Sequence, residues 1–310
     1  MARYVRRRLL QAVAVLFLLT VIVFVVSRLS GSPVDLLLPQ GAGPEQRAAL
    51  VQRLGLDEPL PVQYGRFLLD AVQGDFGTSV RFQAPAMELV LQRLPATIEL
   101  ALAALGLAVV IGVPLGTLAA LRQGRPTDYV TTSLLTLGQA APSFWVGILL
   151  ILVFGVELGL LPFSGNAGLT SLILPAVTLS LVPLVNIARV TRSSVLAVLP
   201  EDYVRTARAK GLRHRTVVGR HVVRNGLIPV VTVGGIVLGQ VLSGAVITEQ
   251  IFSWPGIGSL AIEAIQARDY AVVQSVTLVS AVFVVGLNLL VDFSYFALDP
   301  RIRAGRGESR

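Results

Sequence analysis

Nine basic residues crowd between positions 189 and 224: Arg189, Arg192, Arg205, Arg208, Lys210, Arg213, Arg215, Arg220 and Arg224. Only two acids, Glu201 and Asp202, stand among them, so this island carries nearly all of the chain's net charge of +8. Such a cluster can pair with carboxylates on a partner or hold a loop on one side of a membrane. The rest of the chain offers little competing chemistry. There is no cysteine, which excludes disulfides, thiolate zinc sites and iron–sulfur clusters. His214 and His221 both lie in the island without a carboxylate at ligand spacing, so no metal site is expected. No Gly-x-x-x-x-Gly-Lys-Ser/Thr run occurs, and the chain is therefore not expected to bind or hydrolyse ATP itself. Nor do the apolar segments hold the Ser/His, paired-Asp or His-rich groupings of an intramembrane protease or transferase.

Two short helices are predicted to position the island's charges. Proline suits a first helical turn and carboxylates favour the positive end of the helix dipole, so Pro200, Glu201 and Asp202 read as a helix start. Gly211 reads as its stop. A second helix runs from about Arg213 to Asn225, and Pro229 then fits the first turn of an apolar segment.

Composition sets those helices beside a membrane. Hydrophobic residues make up 54% of the chain, charged residues 14%, and the mean hydropathy is +0.73, against about 25% charged in a soluble domain. A pI near 10.7 would suggest nucleic acid in a soluble protein. Here the charge is segregated to loops beside lipid, and no nucleic-acid partner is expected. Arg3, Arg6, Arg7 and Arg8 precede the apolar run 9–29, which at 1.5 Å per residue reaches about 31 Å, enough to span. A signal peptide would have a shorter core, so a retained first helix is expected.

Five further spans are expected at about 96–121, 129–156, 171–190, 227–248 and 271–298, giving an all-α, six-span membrane domain over 9–298. The region 30–95 is polar, punctuated by Gly and Pro, and holds seven acids against five arginines. It is placed outside. Arg122 and Arg125, the island at 197–226 and Arg301, Arg303, Arg306 and Arg310 fall inside, as do the N-terminal residues 1–8 and the tail 299–310.

The order of residue types in the island says more. Tyr203-Val204-Arg205-Thr206-Ala207-Arg208-Ala209-Lys210-Gly211-Leu212 closely resembles the "EAA" coupling loop of ABC importer permeases, in the form carried by the dipeptide and oligopeptide permeases. Against the general pattern, Arg205 and Thr206 replace Glu and the first Ala, while Ala207 and Gly211 match. Farther on, His221, Val223 and Arg224 replace the general Ile, Leu and Pro, which narrows the resemblance to the peptide branch. The likeness extends to Gly55–Tyr64, Gly74–Ser79, Gln139–Trp145, Ile251–Gly258, Arg268–Tyr270, Asn288–Asp292 and Asp299–Arg301.

What the resemblance implies is a type I importer permease with cytoplasmic coupling helices. Its implied partners are a second related permease, two ATPase subunits and an extracytoplasmic substrate-binding protein. ATP and Mg would be bound by the ATPases and no cofactor by this chain. Glu201, Asp202, Tyr203, Arg205, Ala207, Arg208 and Gly211 would form the ATPase-coupling site, with Tyr203 and Ala207 on one face toward the ATPase. Gln139, Ser143, Asn186, Gln240 and Ser243 are the polar span residues expected to line the path. Nickel and glutathione permeases resemble the chain as well. A self-contained carrier would bury carboxylates near mid-membrane, whereas Glu99, Glu249 and Asp292 sit near span ends, where they would snorkel or cap.

The topology is testable with single cysteines, because the chain has none of its own. A cysteine at Ala48 should react with an impermeant thiol reagent in intact cells and one at Ala304 should not; the reverse pattern would overturn the map.

Overall fold

The computed structural model describes residues 2–29, 34, 38, 43–53 and 55–298, with 2–4, 53, 232, 236, 243 and 292–298 described by backbone alone. The expected tail 299–310, with its four arginines and the Asp299–Arg301 motif, lies outside the described residues. Helices dominate, and an antiparallel bridge between Thr78 and Pro85 is the only extended pairing among the described residues. Among the described residues four helices are long and apolar enough to cross a membrane: Val5–Leu29, Ala86–Leu121, Leu169–Val198 and Tyr270–Val291. Two bent pairs could each supply one more, Pro126–Ala140 with Ser143–Glu157, and His214–Gly226 with Ile228–Leu242.

The chain divides into two compact units, one from 1–95 and 256–286 and the other from 96–255 and 287–310. In the first, the polar region 30–95, expected from its Gly and Pro punctuation to be mostly loops, contains the helices Pro44–Arg53 and Leu60–Gln73. The helix Ala86–Leu121 also begins ten residues before the expected span. Gly and Pro mark where these helices end, as at Gly74 with φ +77, but say little about the polar turns between. Tyr64 joins Thr20 of the first helix through its hydroxyl at 2.8 Å and meets Phe24 edge-on at 5.4 Å. Ala86, Val90, Ile257, Leu260, Ala264, Val272 and Val276 form this unit's apolar core.

The same unit joins two of the sequence motifs. Asp269 is fully buried and accepts the Ser79 hydroxyl at 2.5 Å and the Arg81 N–H at 3.2 Å. Its other oxygen faces the Val272 N–H at 3.4 Å, as an N-cap of Tyr270–Leu298 does. Arg268–Tyr270 and Gly74–Ser79 thus meet through one carboxylate.

The second unit is built around Leu169–Val198, 61% buried over its apolar window, more than any other candidate span. Glycine permits the closest approach. A Cβ on Gly116 would lie 2.2 Å from the Ala188 carbonyl oxygen, and one on Gly112 would lie 3.0 Å from that of Leu184. Its Ala176 and Leu179 share an apolar cluster with Leu100, Ala104, Val241 and Trp254, whose indole N–H donates to the Ala96 carbonyl at 2.9 Å. Glu249 does not snorkel: it is fully buried and accepts from the Thr97 hydroxyl at 2.6 Å. The expected span 129–156 is broken at Ala141 and Pro142, where its halves meet at 96°. Pro142 has no N–H to give the preceding turn, and its ring biases Ala141 to the extended backbone it adopts, ψ 127°.

The Gly116 contact yields a prediction. Gly116→Ala forces the two backbones apart, an overpacking change of about 1–3 kcal/mol, whereas Gly106, with nothing within 4 Å of an added Cβ, should accept alanine. Thermal unfolding of the purified proteins in detergent should show a lower Tm for Gly116→Ala only.

Candidate functional site

The island folds as two short helices about a glycine. Asp202–Ala209 is the first, with Glu201 extended at its N-cap and Asp202 in its first turn. Gly211 follows at φ +76, with nothing within 4 Å of an added Cβ, so a side chain there is disfavoured by backbone conformation alone. The chain then turns helical again from His214 to Gly226, winding as a π-helix over Val217–Val223.

The first short helix has two faces. Val204 and Ala207 are buried in a cluster with Ala120, Val195, Val217 and Val222. Glu201, Asp202, Tyr203, Arg205, Thr206, Arg208 and Lys210 are exposed. The structure therefore separates Tyr203, 41% exposed, from Ala207, 5% exposed, which were expected to share a face toward a partner. The i, i+4 spacing is real, but an eight-residue helix lying flat on its own chain buries the narrow stripe through 204 and 207. Ala207 must be small so that this helix seats on the end of Leu169–Val198. A partner would meet Tyr203, Arg205, Arg208 and Leu212, itself 42% exposed. Arg205 also stands 3.7 Å from Asp202, one turn back on the exposed surface.

A second anchor lies beside it, and sequence reading passed it over. Asp128, 5% exposed, receives both Nε and Nη2 of Arg192 at 2.9 Å, the Gly124 N–H at 3.1 Å and the Thr132 hydroxyl at 3.4 Å. The pair ties the start of Pro126–Ala140 to the last turns of Leu169–Val198. A two-pronged guanidinium–carboxylate contact fixes orientation as well as distance. The available signal was a carboxylate in a loop otherwise rich in arginine, but spacing alone could not link positions 64 residues apart.

The expected path residues are dispersed over four helices. Gln139 ends Pro126–Ala140 and accepts from Arg189 at 2.9 Å. Ser143 opens the helix beyond the break, Asn186 is half-buried on Leu169–Val198, and Gln240 is exposed on Ile228–Ile251. Ser243 lies on that last helix, with its side chain outside the described residues. Among them, only Gln139 is bonded to a charged group among the described residues.

Residues 112–304 match the family model described as "Binding-protein-dependent transport system inner membrane component". Residues 1–101 match its N-terminal companion, "Binding-prot-dependent transport system membrane comp, N-term". The chain is 40% identical over 314 residues to the oligopeptide transport system permease protein AppB of Bacillus subtilis (strain 168), covering 97% of this chain and 99% of that one. It is 38% identical over 336 residues to the dipeptide transport system permease protein DppB of Escherichia coli (strain K12), covering 98% and 99%. Similarity to the glutathione transport system permease protein GsiC of Escherichia coli (strain K12) is 40% over 308 residues, again 98% and 99%. Among solved structures, an inward-facing MetNI methionine ABC transporter superposes with a TM-score of 0.59 at 16% identity over 69% of this chain and 97% of that chain. An amino acid ABC transporter crystallised with histidines gives 0.54 at 16% identity over 68% and 94%. These two likenesses establish the fold alone, an all-α bundle of membrane-length helices.

Tyr203→Ala should leave detergent stability unchanged, because the ring is exposed, while weakening any partner held by this helix. Ala207→Glu buries an unpaired carboxylate, a change of about 3–5 kcal/mol, and should loosen the helix itself. Limited proteolysis near Lys210 separates the two: faster cleavage is expected for Ala207→Glu and wild-type cleavage for Tyr203→Ala. Equal protection of both would contradict the two-faced helix.

Proposed function

The chain belongs to the family of binding-protein-dependent transport system inner membrane components, and we propose that it forms, with a second related permease, the membrane path of an ATP-driven importer of di- and oligopeptides. The observation that carries the cargo is the near-full-length similarity to permeases named for oligopeptides, dipeptides and di/tripeptides, at 38–40% identity. The similarity to GsiC favours glutathione as the second reading.

The chain's own contribution follows from its geometry. ATP, with Mg, is bound and hydrolysed on two separate ATPase subunits. Each nucleotide state can bias the permease only through contacts that differ between its conformations. In this chain those contacts are made by the exposed face of Asp202–Ala209: Tyr203 fills a pocket on the ATPase while Arg205 and Arg208 pair with acids around it. Glu201, Asp202 and Gly211 set the helix's start and exit, and Ala207 seats it on Leu169–Val198. Both chain termini and this helix lie in the cytoplasm. The region 30–95 faces the substrate-binding protein on the other side. Gln139, Ser143, Asn186, Gln240 and Ser243 offer the moving peptide hydrogen bonds along the path.

Reconstitution of this chain with its partner permease, the ATPases and the binding protein should give ATP-dependent uptake of labelled di- and oligopeptides. Omitting either permease or the binding protein should reduce uptake to background. Uptake of glutathione alone would select the second reading, and uptake without ATP would overturn the importer assignment.

A further inference from the structure

A guanidinium set among membrane spans without a carboxylate partner is costly to maintain and marks a functional position when it persists. Two arginines one turn apart on Leu169–Val198 differ in this respect. Arg192 is neutralised by Asp128 through two 2.9 Å bonds. Arg189 donates from Nη2 to Oε1 of Gln139 at 2.9 Å, a neutral amide, and among the described residues it forms no ion pair. Its charge is therefore left uncompensated among the described residues.

The two charges are also delivered at different depths. Asp128 sits in the first turn of Pro126–Ala140 and Gln139 in its last, about 16 Å apart along the axis at 1.5 Å per residue. Helical side chains lean toward the N-terminus of their helix. Arg189 thus reaches away from the end of Leu169–Val198 that carries the Asp202–Ala209 helix, and meets the amide at the brink of the 96° break. Arg189 and Gln139 are both exposed on their own chain, and Asn186 lies one turn earlier on the same side as Arg189. Hydrocarbon is a poor surrounding for such a group. Charged side chains within spans turn toward water-filled cavities, and interrupted helices at that depth line them.

We propose that Arg189, oriented by Gln139, is a cationic contact for the carboxylate of the cargo as it passes the break at Ala141 and Pro142. The inference rests on the peptide reading for the anion, which is the C-terminal carboxylate every unmodified peptide carries. With one bond spent on Gln139, the planar guanidinium keeps further N–H donors in the fork that matches a carboxylate.

The chain's lack of cysteine makes the charge replaceable by chemistry. In the assembled transporter, the Arg189→Cys thiol should react with water-soluble methanethiosulfonate reagents, with the same complex carrying Arg189 as control for partner thiols. Uptake of a peptide with a free C-terminal carboxylate should fall about tenfold or more in Arg189→Cys, the scale of a lost charged hydrogen bond. Attaching an aminoethyl group should recover most of it, and attaching a sulfonatoethyl group should not. Because both arms start from one folded protein, a folding defect cannot produce the difference. An unreactive thiol, unimpaired uptake by Arg189→Cys, or equal uptake after cationic and anionic modification would overturn the proposal. If the intact complex moves no peptide at all, the functional reading falls first and takes this cargo contact with it.

Discussion

The approach of Gly116 to the Ala188 carbonyl leaves no room for even a methyl group between two backbones, and much of the second unit depends on it. Without a hydrophobic driving force between helices in lipid, association relies on close van der Waals packing, which small residues allow. Leu169–Val198 gains its burial in this way, with its backbone against Gly112 and Gly116 and its Ala176 and Leu179 clustered with Leu100, Ala104 and Val241. Held so closely, the helix has little freedom to slide or rotate. Pro175 and Pro183 lie inside it and remove two backbone donors. Its packing, more than its intrinsic propensity, keeps the helix continuous.

A stiff helix can carry work only if its end is fixed to whatever pushes it. Two contacts do this for Leu169–Val198. Val204 and Ala207 of the short helix are buried against Val195, and Arg192 grips Asp128 at the start of the neighbouring helix. A load applied at Tyr203 therefore reaches the long helix through packed apolar side chains, and the adjoining Pro126–Ala140 through a two-pronged ion pair. That second helix ends at the break beside Gln139. The exposed face of the short helix and the break belong to one connected set of packed elements, a physical requirement for coupling between two sites.

Much of this was legible from residue order. The apolar runs announced membrane helices, Pro200 to Asp202 announced the start of the short helix, and Gly211 announced a stop that the structure realises with φ +76. Other features were hidden for identifiable reasons. Ala207 and Tyr203 share a spacing, but which of them faces inward depends on what the helix lies against, and sequence does not contain that. Pro142 stood inside an expected continuous span, 129–156, and its effect was not readable there because a proline inside a span can kink, break or merely bend it; Pro175 and Pro183 leave their helix uninterrupted. Ser79 and Asp269 stood in two separate motifs, and only folding joins residues 190 positions apart. Glu249 looked like a charge near an interface until its burial and its bond to Thr97 showed otherwise.

The arginines of the island need a similar separation. Positive charge on one side of a membrane fixes orientation by number and place, whatever the individual contacts, and Arg213, Arg215 and Arg220 on the exposed helix after Gly211 can serve that purpose. Arg192 and Arg189 cannot be exchanged with them. Burying the Asp128 carboxylate is tolerable because Arg192 supplies two donors in a fixed plane beside those of Gly124 and Thr132, so this charge is structural. Arg189, one turn away, is bonded to an amide that orients it without neutralising it. A helix that needed only to be held would gain more from a carboxylate at position 139, since the paired charge would cancel. Glutamine there keeps the guanidinium placed and its charge available, which is the arrangement expected of a residue whose natural partner arrives with the cargo.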